Sequence, residues 1–220
     1  MNKYKNILFD LDGTLTDPKE GITKSVQYAL KKMNIDEFDL NHLERFIGPP
    51  IHSSFTEFYN FDESQTKQAV ELYRERFKEK GMFENELYPG IPSLLKILKK
   101  QEYKLIVATS KVTEFANQIL KYFQLDPYFD LVVGSHLDGT RSSKAEIIQY
   151  ILDHYNNDSP GDFVMIGDRK YDCIGANEVG IDSIGVTYGY GSLQELKECK
   201  PTTIVDSVEQ LKEVLLGVNR

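Results

Sequence analysis

Asn6-Ile7-Leu8-Phe9 runs directly into Asp10-Leu11-Asp12-Gly13-Thr14, an apolar tetrapeptide stopped by two carboxylates and a glycine. A short, continuous apolar run is the pattern of a strand buried on both faces of a parallel sheet, with a polar loop at its carboxyl end. Leu105-Ile106-Val107-Ala108, Leu131-Val132-Val133 and Phe163-Val164-Met165-Ile166 repeat the plan, and Ser183-Ile184-Gly185-Val186 does so more weakly. Helical spacing fills the gaps between them. Leu94, Leu95 and Leu98 recur before the second run. Ala145, Ile148, Ile151 and Leu152 recur before the fourth, behind a Ser142-Ser143 cap signal. Strands alternating with helices imply an α/β fold, with a doubly wound, Rossmann-like parallel sheet as its core.

Residues 16–87 break the alternation. Asp17-Pro18-Lys19-Glu20 offers an N-cap, a proline at the first helical position and a Glu to close a capping box. Ile22, Val26, Leu30 and Met33 follow at helical spacing. Asp62-x-x-Gln65 is a second start signal, ahead of Ala69, Tyr73 and Phe77. The expected organisation is therefore a core of residues 1–15 and 88–220 with an all-helical cap domain of residues 16–87 inserted in it. Tyr88-Pro89-Gly90-Ile91-Pro92 carries the Pro and Gly of a joint, so the cap is expected to flex near Thr16 and Pro89.

Charge narrows the function. Twenty-six Lys and Arg stand against 34 Asp and Glu, a net charge of −8. That balance lacks the basic footprint of a nucleic-acid binder, so none is expected as a partner. An acidic protein that takes an anionic substrate also needs positive charge placed locally, and a divalent cation is one source. Cys173 and Cys199 have neither C-x-x-C nor Cys/His spacing, which speaks against zinc. The N-terminal apolar run is too short for a signal peptide, and no run reaches membrane-spanning length. The expectation is a cytoplasmic protein without membrane contact, a monomer or weak homodimer.

Asp10-x-Asp12-Gly-Thr14 after a buried strand carries the strongest chemical signal. Two carboxylates at i and i+2 of an extended backbone point the same way and repel, which a fold tolerates where a cation or a proton neutralises them. In isolation the motif reads rather as an Asx-turn closing a strand, with Gly13 at positive φ. Gly167-Asp168-Arg169-Lys170-Tyr171-Asp172 also follows a buried strand. If the two strands are neighbours, Asp10, Asp12, Asp168 and Asp172 converge, and hard oxygen ligands without His or Cys suit magnesium. Thr109 and Ser110 end the second strand, where a hydroxyl either caps the next helix or, with that helix's amides, meets a phosphate. Lys144 opens a helix, the end that the helix dipole makes unfavourable for a cation, which marks it as a phosphate contact or as a solvated surface lysine.

Asp10-x-Asp12-Gly-Thr14, Thr109, Lys144 and Gly167-Asp168-x-x-x-Asp172, in that order, resemble the haloacid dehalogenase superfamily of phosphohydrolases. The helical insert resembles its helical-cap class, which includes phosphoglycolate phosphatases. The resemblance implies Asp10 as nucleophile and Asp12 as general acid and base. It implies Thr109, Ser110 and Lys144 as phosphate ligands, and Mg2+ held by Asp10, Asp168 and the Asp12 main-chain carbonyl, with Asp172 just behind. Arg169 departs from the usual Thr or Ser, without removing a ligand. The expected activity is Mg2+-dependent hydrolysis of a small phosphorylated metabolite, phosphoglycolate-like or a nucleoside monophosphate, through an aspartyl-phosphate. A sugar phosphomutase and a non-catalytic phospho-ligand sensor are the alternatives. In the cap, Arg45, Gly48 and His52 flank a rigid turn and are either specificity residues or plain surface. Tyr188-Gly189-Tyr190-Gly191 reads as a turn with no assigned role.

Overall fold

The computed structural model describes residues 3–217, so Met1, Asn2 and residues 218–220 of the expected core segments lie outside the described residues. Strand β1 (Asn6–Phe9) is buried along its whole length. After it come a short strand β2 (Thr16–Asp17) and a helical cap. The cap comprises α1 (Lys19–Lys32), a 3-10 stretch over Leu40–Phe46, α2 (Ile51–Tyr59) and α3 (Glu63–Arg76), with a π turn over Phe77–Gly81. The chain leaves it through β3 (Glu86–Leu87), which pairs antiparallel with β2. Entry and exit of the cap are thereby joined as one ribbon. The rest alternates: α4 (Ile91–Lys100), β4 (Lys104–Val112), α5 (Thr113–Tyr122), β5 (Leu131–Ser135), α6 (Lys144–His154) and β6 (Phe163–Gly167). It ends with α7 (Lys170–Val179), β7 (Asp182–Val186), α8 (Leu193–Cys199), β8 (Thr203–Val205) and α9 (Val208–Leu216).

The sheet order is β5-β4-β1-β6-β7-β8, parallel throughout. The chain builds from β1 through β4 to β5, then returns to the other side of β1 and builds through β6. That reversal places a crevice beyond the carboxyl end of β1, where open α/β sheets bind ligands. Phe9 lies beside Val107 on one side and Ile166 on the other. The loops carrying Asp10, Thr109 and Asp168 therefore emerge side by side.

Both faces of the sheet are covered, which explains why its strands read as continuous apolar runs. Ile7, Phe9, Val107 and Ile166 join one core with Leu94, Leu98, Ile119 and Leu211. Leu8, Ile106 and Met165 join the other with Ile147, Ile148 and Ile151. Phe77 of the cap meets Phe115 of the core with ring centroids 5.6 Å apart, so cap and core share apolar contact.

Three local features differ from the sequence expectation. The sheet has a sixth strand, β8, with only Val205 of its three residues buried, too little to show as an apolar run. β4 continues past Ala108 to Val112 across a register break, so α5 begins at Thr113 rather than directly after the Thr109-Ser110 pair. The start of α1 is not a capping box. Asp17 Oδ1 accepts from Lys19 N at 3.0 Å, but Glu20 is drawn to Lys24 one turn on, an i,i+4 pair. The Asp62–Gln65 box at α3 is present in both directions.

Candidate active site

Asp10 is the first residue beyond β1, and its N–H still donates to the Ile166 carbonyl at 2.9 Å. Its Oδ1 accepts from Leu11 N at 2.7 Å and pairs with Lys144 Nζ at 2.8 Å. Lys144 is buried and not a surface lysine: Nζ also meets Asp172 Oδ1 at 2.8 Å and donates to the Ala108 carbonyl at 2.6 Å. Burial opposes its charge, but Asp10 and Asp172 outweigh that and hold the ammonium above its ordinary pKa. The Ser143–Glu146 capping box fixes the helix end that carries it.

Asp12 turns a different way. Its Oδ2 pairs with Lys111 Nζ at 2.8 Å, and Oδ1 is buried without a hydrogen-bond partner. Burial is the largest cause raising its pKa, and Asp10 adds to it while Lys111 opposes. Lys111 was not singled out by the sequence pattern, although residues two apart on an extended chain share a side, which places it with Thr109. Its ammonium also sits 4.3 Å from the Phe77 ring centroid. Thr109 is buried, and its hydroxyl oxygen accepts from Lys111 N at 3.2 Å. The O–H proton is thus left to donate elsewhere.

The four carboxylates expected to converge do so as three. Asp10, Asp168 and Asp172 each offer an oxygen within 4.8 Å of the others. The Asp12 carboxylate is drawn out of it by Lys111. Asp168 accepts from Thr14 Oγ1 at 3.3 Å and from Tyr190 N at 2.7 Å. Burial first, then Asp172 and Asp10, lift Asp168 well above the usual carboxylate range. Asp172 is pushed up to about 6, by burial and Asp10 against the pull of Lys144. Three buried carboxylates against one ammonium leave negative charge uncompensated, and all the donors are hard oxygens. This fits a small dication such as Mg2+, held by Asp10 and Asp168 with Asp172 alongside.

The 188–191 loop, unassigned from sequence, braces this cluster. Besides the Tyr190 N–H on Asp168, Tyr188 Oη donates to the Thr14 carbonyl at 3.1 Å and Tyr190 Oη to Asp17 at the cap entry. Gly13 has φ +81°, and a Cβ there would lie 2.3 Å from Asp168 Oδ2, so both conformation and space demand glycine.

A cavity of about 330 Å3 opens above Asp10 and Asp12, within the range of roughly 300–1,000 Å3 typical of small-molecule sites. Thr109, Ser110 and Lys111 line it from the core. Gly48 and His52 line it from the cap, as do Phe46, Tyr73 and Phe77. Arg45 is not among the lining residues; its guanidinium stacks 4.6 Å from the Phe58 ring centroid, turned into the cap.

Residues 7–186 match the family model described as haloacid dehalogenase-like hydrolase. A 5'-nucleotidase of Pseudomonas aeruginosa is 48% identical over 213 residues, covering 97% of this chain and 96% of that protein. The crystal structure of a predicted phosphatase from Clostridium acetobutylicum superposes with a TM-score of 0.95 at 52% identity, covering 97% of this chain and 99% of that one. The tyrosine-protein kinase PtkA of Mycobacterium tuberculosis is 34% identical over 213 residues, covering 95% of this chain and 72% of that protein.

Proposed function

Because the chain belongs to the haloacid dehalogenase-like hydrolases and is a phosphatase, we propose that it hydrolyses small phosphomonoesters through an aspartyl-phosphate on Asp10, with Mg2+ as cofactor. The observation that carries this is the pairing of two adjacent carboxylates with two different lysines, Asp10 with Lys144 and Asp12 with Lys111, beneath one cavity. It gives the two acids different environments and so different tasks.

An Asp10 carboxylate oxygen attacks phosphorus and the bond to the ester oxygen breaks. Asp12, whose pKa burial raises against the pull of Lys111, gives a proton to the departing alkoxide. Asp12 then takes a proton from water, whose oxygen attacks phosphorus, and the bond to Asp10 breaks to release inorganic phosphate. Thr109, Ser110 and Lys144 serve the phosphoryl oxygens. A Mg2+ ion held by Asp10 and Asp168 would supply the charge neutralisation that lets an anionic carboxylate approach an anionic phosphate. The cap is the domain that selects the leaving group, with Gly48 and His52 lining the cavity and Arg45 outside it.

A nucleoside monophosphate leads among substrates. Phe46, Tyr73, Phe77 and Phe115 line the cavity, an aromatic wall suited to a base, and a relative of this chain is named 5'-nucleotidase. Phosphoglycolate would present a second anion to that wall. The test is phosphate release from a panel of phosphomonoesters, with Mg2+ and with chelator, beside Asp10→Asn. The expected result is Mg2+-dependent release, best from a nucleoside 5'-monophosphate and at least about a thousandfold slower in the variant. Transfer of the phosphoryl group to a sugar would favour a mutase, and transfer from ATP to a tyrosine peptide a kinase. Release retained by Asp10→Asn would remove the nucleophile assignment.

A further inference from the structure

Arg169 follows Asp168 in the chain, yet its side chain leaves the reaction centre. Its Nε donates to Glu195 Oε1 at 2.9 Å, and the same oxygen accepts Lys170 N at 2.8 Å. Glu195 is fixed in the first turn of α8, where its N–H is capped by Ser192 Oγ at 3.0 Å. Nη1 of the same guanidinium crosses to the cap and donates to the Ile47 carbonyl. The next residue, Gly48, has φ +105°, and a Cβ on it would lie 2.7 Å from Arg169 Cγ. The cap loop thus lies directly on the arginine stem. Gly48, Pro49, Pro50, Ile51 and His52 then run along the cavity wall. On the other wall, Arg74 of α3 donates to the Leu137 carbonyl at 2.9 Å, but that contact is exposed, whereas the Arg169 side chain is only 13% exposed.

We infer that Arg169 is a positioning residue for the leaving group: anchored by Glu195, it ties the 47–52 loop of the cap across the cavity. A planar fork makes both contacts at once, one to a carboxylate and one to a carbonyl, and a lysine ammonium at the end of a flexible stem cannot reproduce that geometry. The tie also passes through the residue beside Asp168, so loop position and acid cluster share one short segment of backbone. Arg169 N donates to Asp172 Oδ2 at 3.1 Å within that segment. The kinetic consequence rests on the phosphatase reading above; the tie itself does not.

The experiment has two arms on Arg169→Ala, Arg169→Lys and Gly48→Ala, each first shown by near-UV circular dichroism to be folded. Hydrogen exchange reads the amides of Ile47, Gly48 (where retained), Ile51 and His52 in the full chain without substrate. Kinetics compares a nucleoside 5'-monophosphate with acetyl phosphate, whose leaving group is too small to reach the loop. The expected result is exchange about tenfold faster in Arg169→Ala, with partial recovery in Arg169→Lys. The nucleotide kcat/KM should fall about tenfold further than that for acetyl phosphate, mainly through KM. Gly48→Ala should shift the same ratio from the cap side, by pressing a Cβ against the Arg169 stem while leaving the guanidinium in place. Unchanged exchange in Arg169→Ala overturns the tie. Faster exchange with equal losses on both substrates overturns the positioning role. If the wild-type protein releases no phosphate from any ester, the function proposed above fails, and the exchange arm still decides the tie.

Discussion

Lys144 shows how a residue that local rules disfavour becomes the centre of a site. At the first position of α6 it faces the positive end of the helix dipole, a cost of about 0.3–1 kcal/mol. Asp10 and Asp172, each 2.8 Å away, more than reverse that. The lysine side chain is 2% exposed and its two partners 3%, so neither carboxylate has water to fall back on. Lys144→Met should therefore destabilise the protein by about 3–5 kcal/mol, as buried pairs do when one partner is removed. Urea unfolding in chelator checks this. A loss below about 1 kcal/mol would mean that the carboxylates simply take up protons instead.

Among the elements, α6 is held at the right place by its own cap. Ser143 Oγ accepts from Glu146 N at 3.3 Å, and Glu146 Oε2 accepts from Ser143 N at 3.1 Å. Ser143→Ala should cost about 1 kcal/mol, a fall of roughly 2–4 °C in melting temperature for a chain of this size. Turnover should drop far less than in Lys144→Met, because the Ala108 carbonyl still holds the ammonium at 2.6 Å. Thermal unfolding beside steady-state kinetics separates the two effects, and a collapse of activity with an unchanged melting temperature would assign Ser143 a direct role. The β2–β3 ribbon works at the same scale. It joins the two chain crossings, Thr16 to Leu87 and Asp17 to Glu86, so any cap movement must bend them together.

For the whole molecule, the acid cluster sets how stability depends on pH. Asp172 is raised from the ordinary carboxylate value to about 6, and Asp168 is raised too. The native state thus keeps protons that the unfolded chain has already released. The stability Asp172 contributes is full below the unfolded pKa near 4 and is lost as pH rises through about 6, and Asp168 acts in the same direction. Surface acids such as Asp158, held low by Asn6 and Lys104, act in the opposite direction. The clean readout is therefore a difference. In chelator, wild type should lose melting temperature relative to Asp172→Asn as pH rises from 4 to 7. Adding Mg2+ at a hundredfold excess over its Kd should restore about 2.7 kcal/mol, or roughly 5–10 °C, with a larger gain at pH 7 than at pH 5. A pH-independent difference and no Mg2+ effect would remove the cation from the cluster.

The sequence by itself determined what short-range physics encodes. Apolar runs mark five of the six sheet strands, because burial on both faces leaves no polar alternation. The helical insert shows through its periodicity and the Asp62–Gln65 box, and the acidic loops stand at strand ends where a polar turn must follow an apolar strand. Asp10, Asp12, Thr109, Asp168 and Asp172 were legible for that reason. Tertiary structure alone decided which groups meet. It gave Lys111 to Asp12, set the 188–191 loop beneath Asp168 and turned Arg45 away from the cavity. Thr14 reaches Asp168 across 154 residues, and Arg169 reaches Ile47 across 122. A local pattern specifies the conformation of a segment, whereas contacts at those separations exist only once the strand order has brought β1, β4 and β6 together.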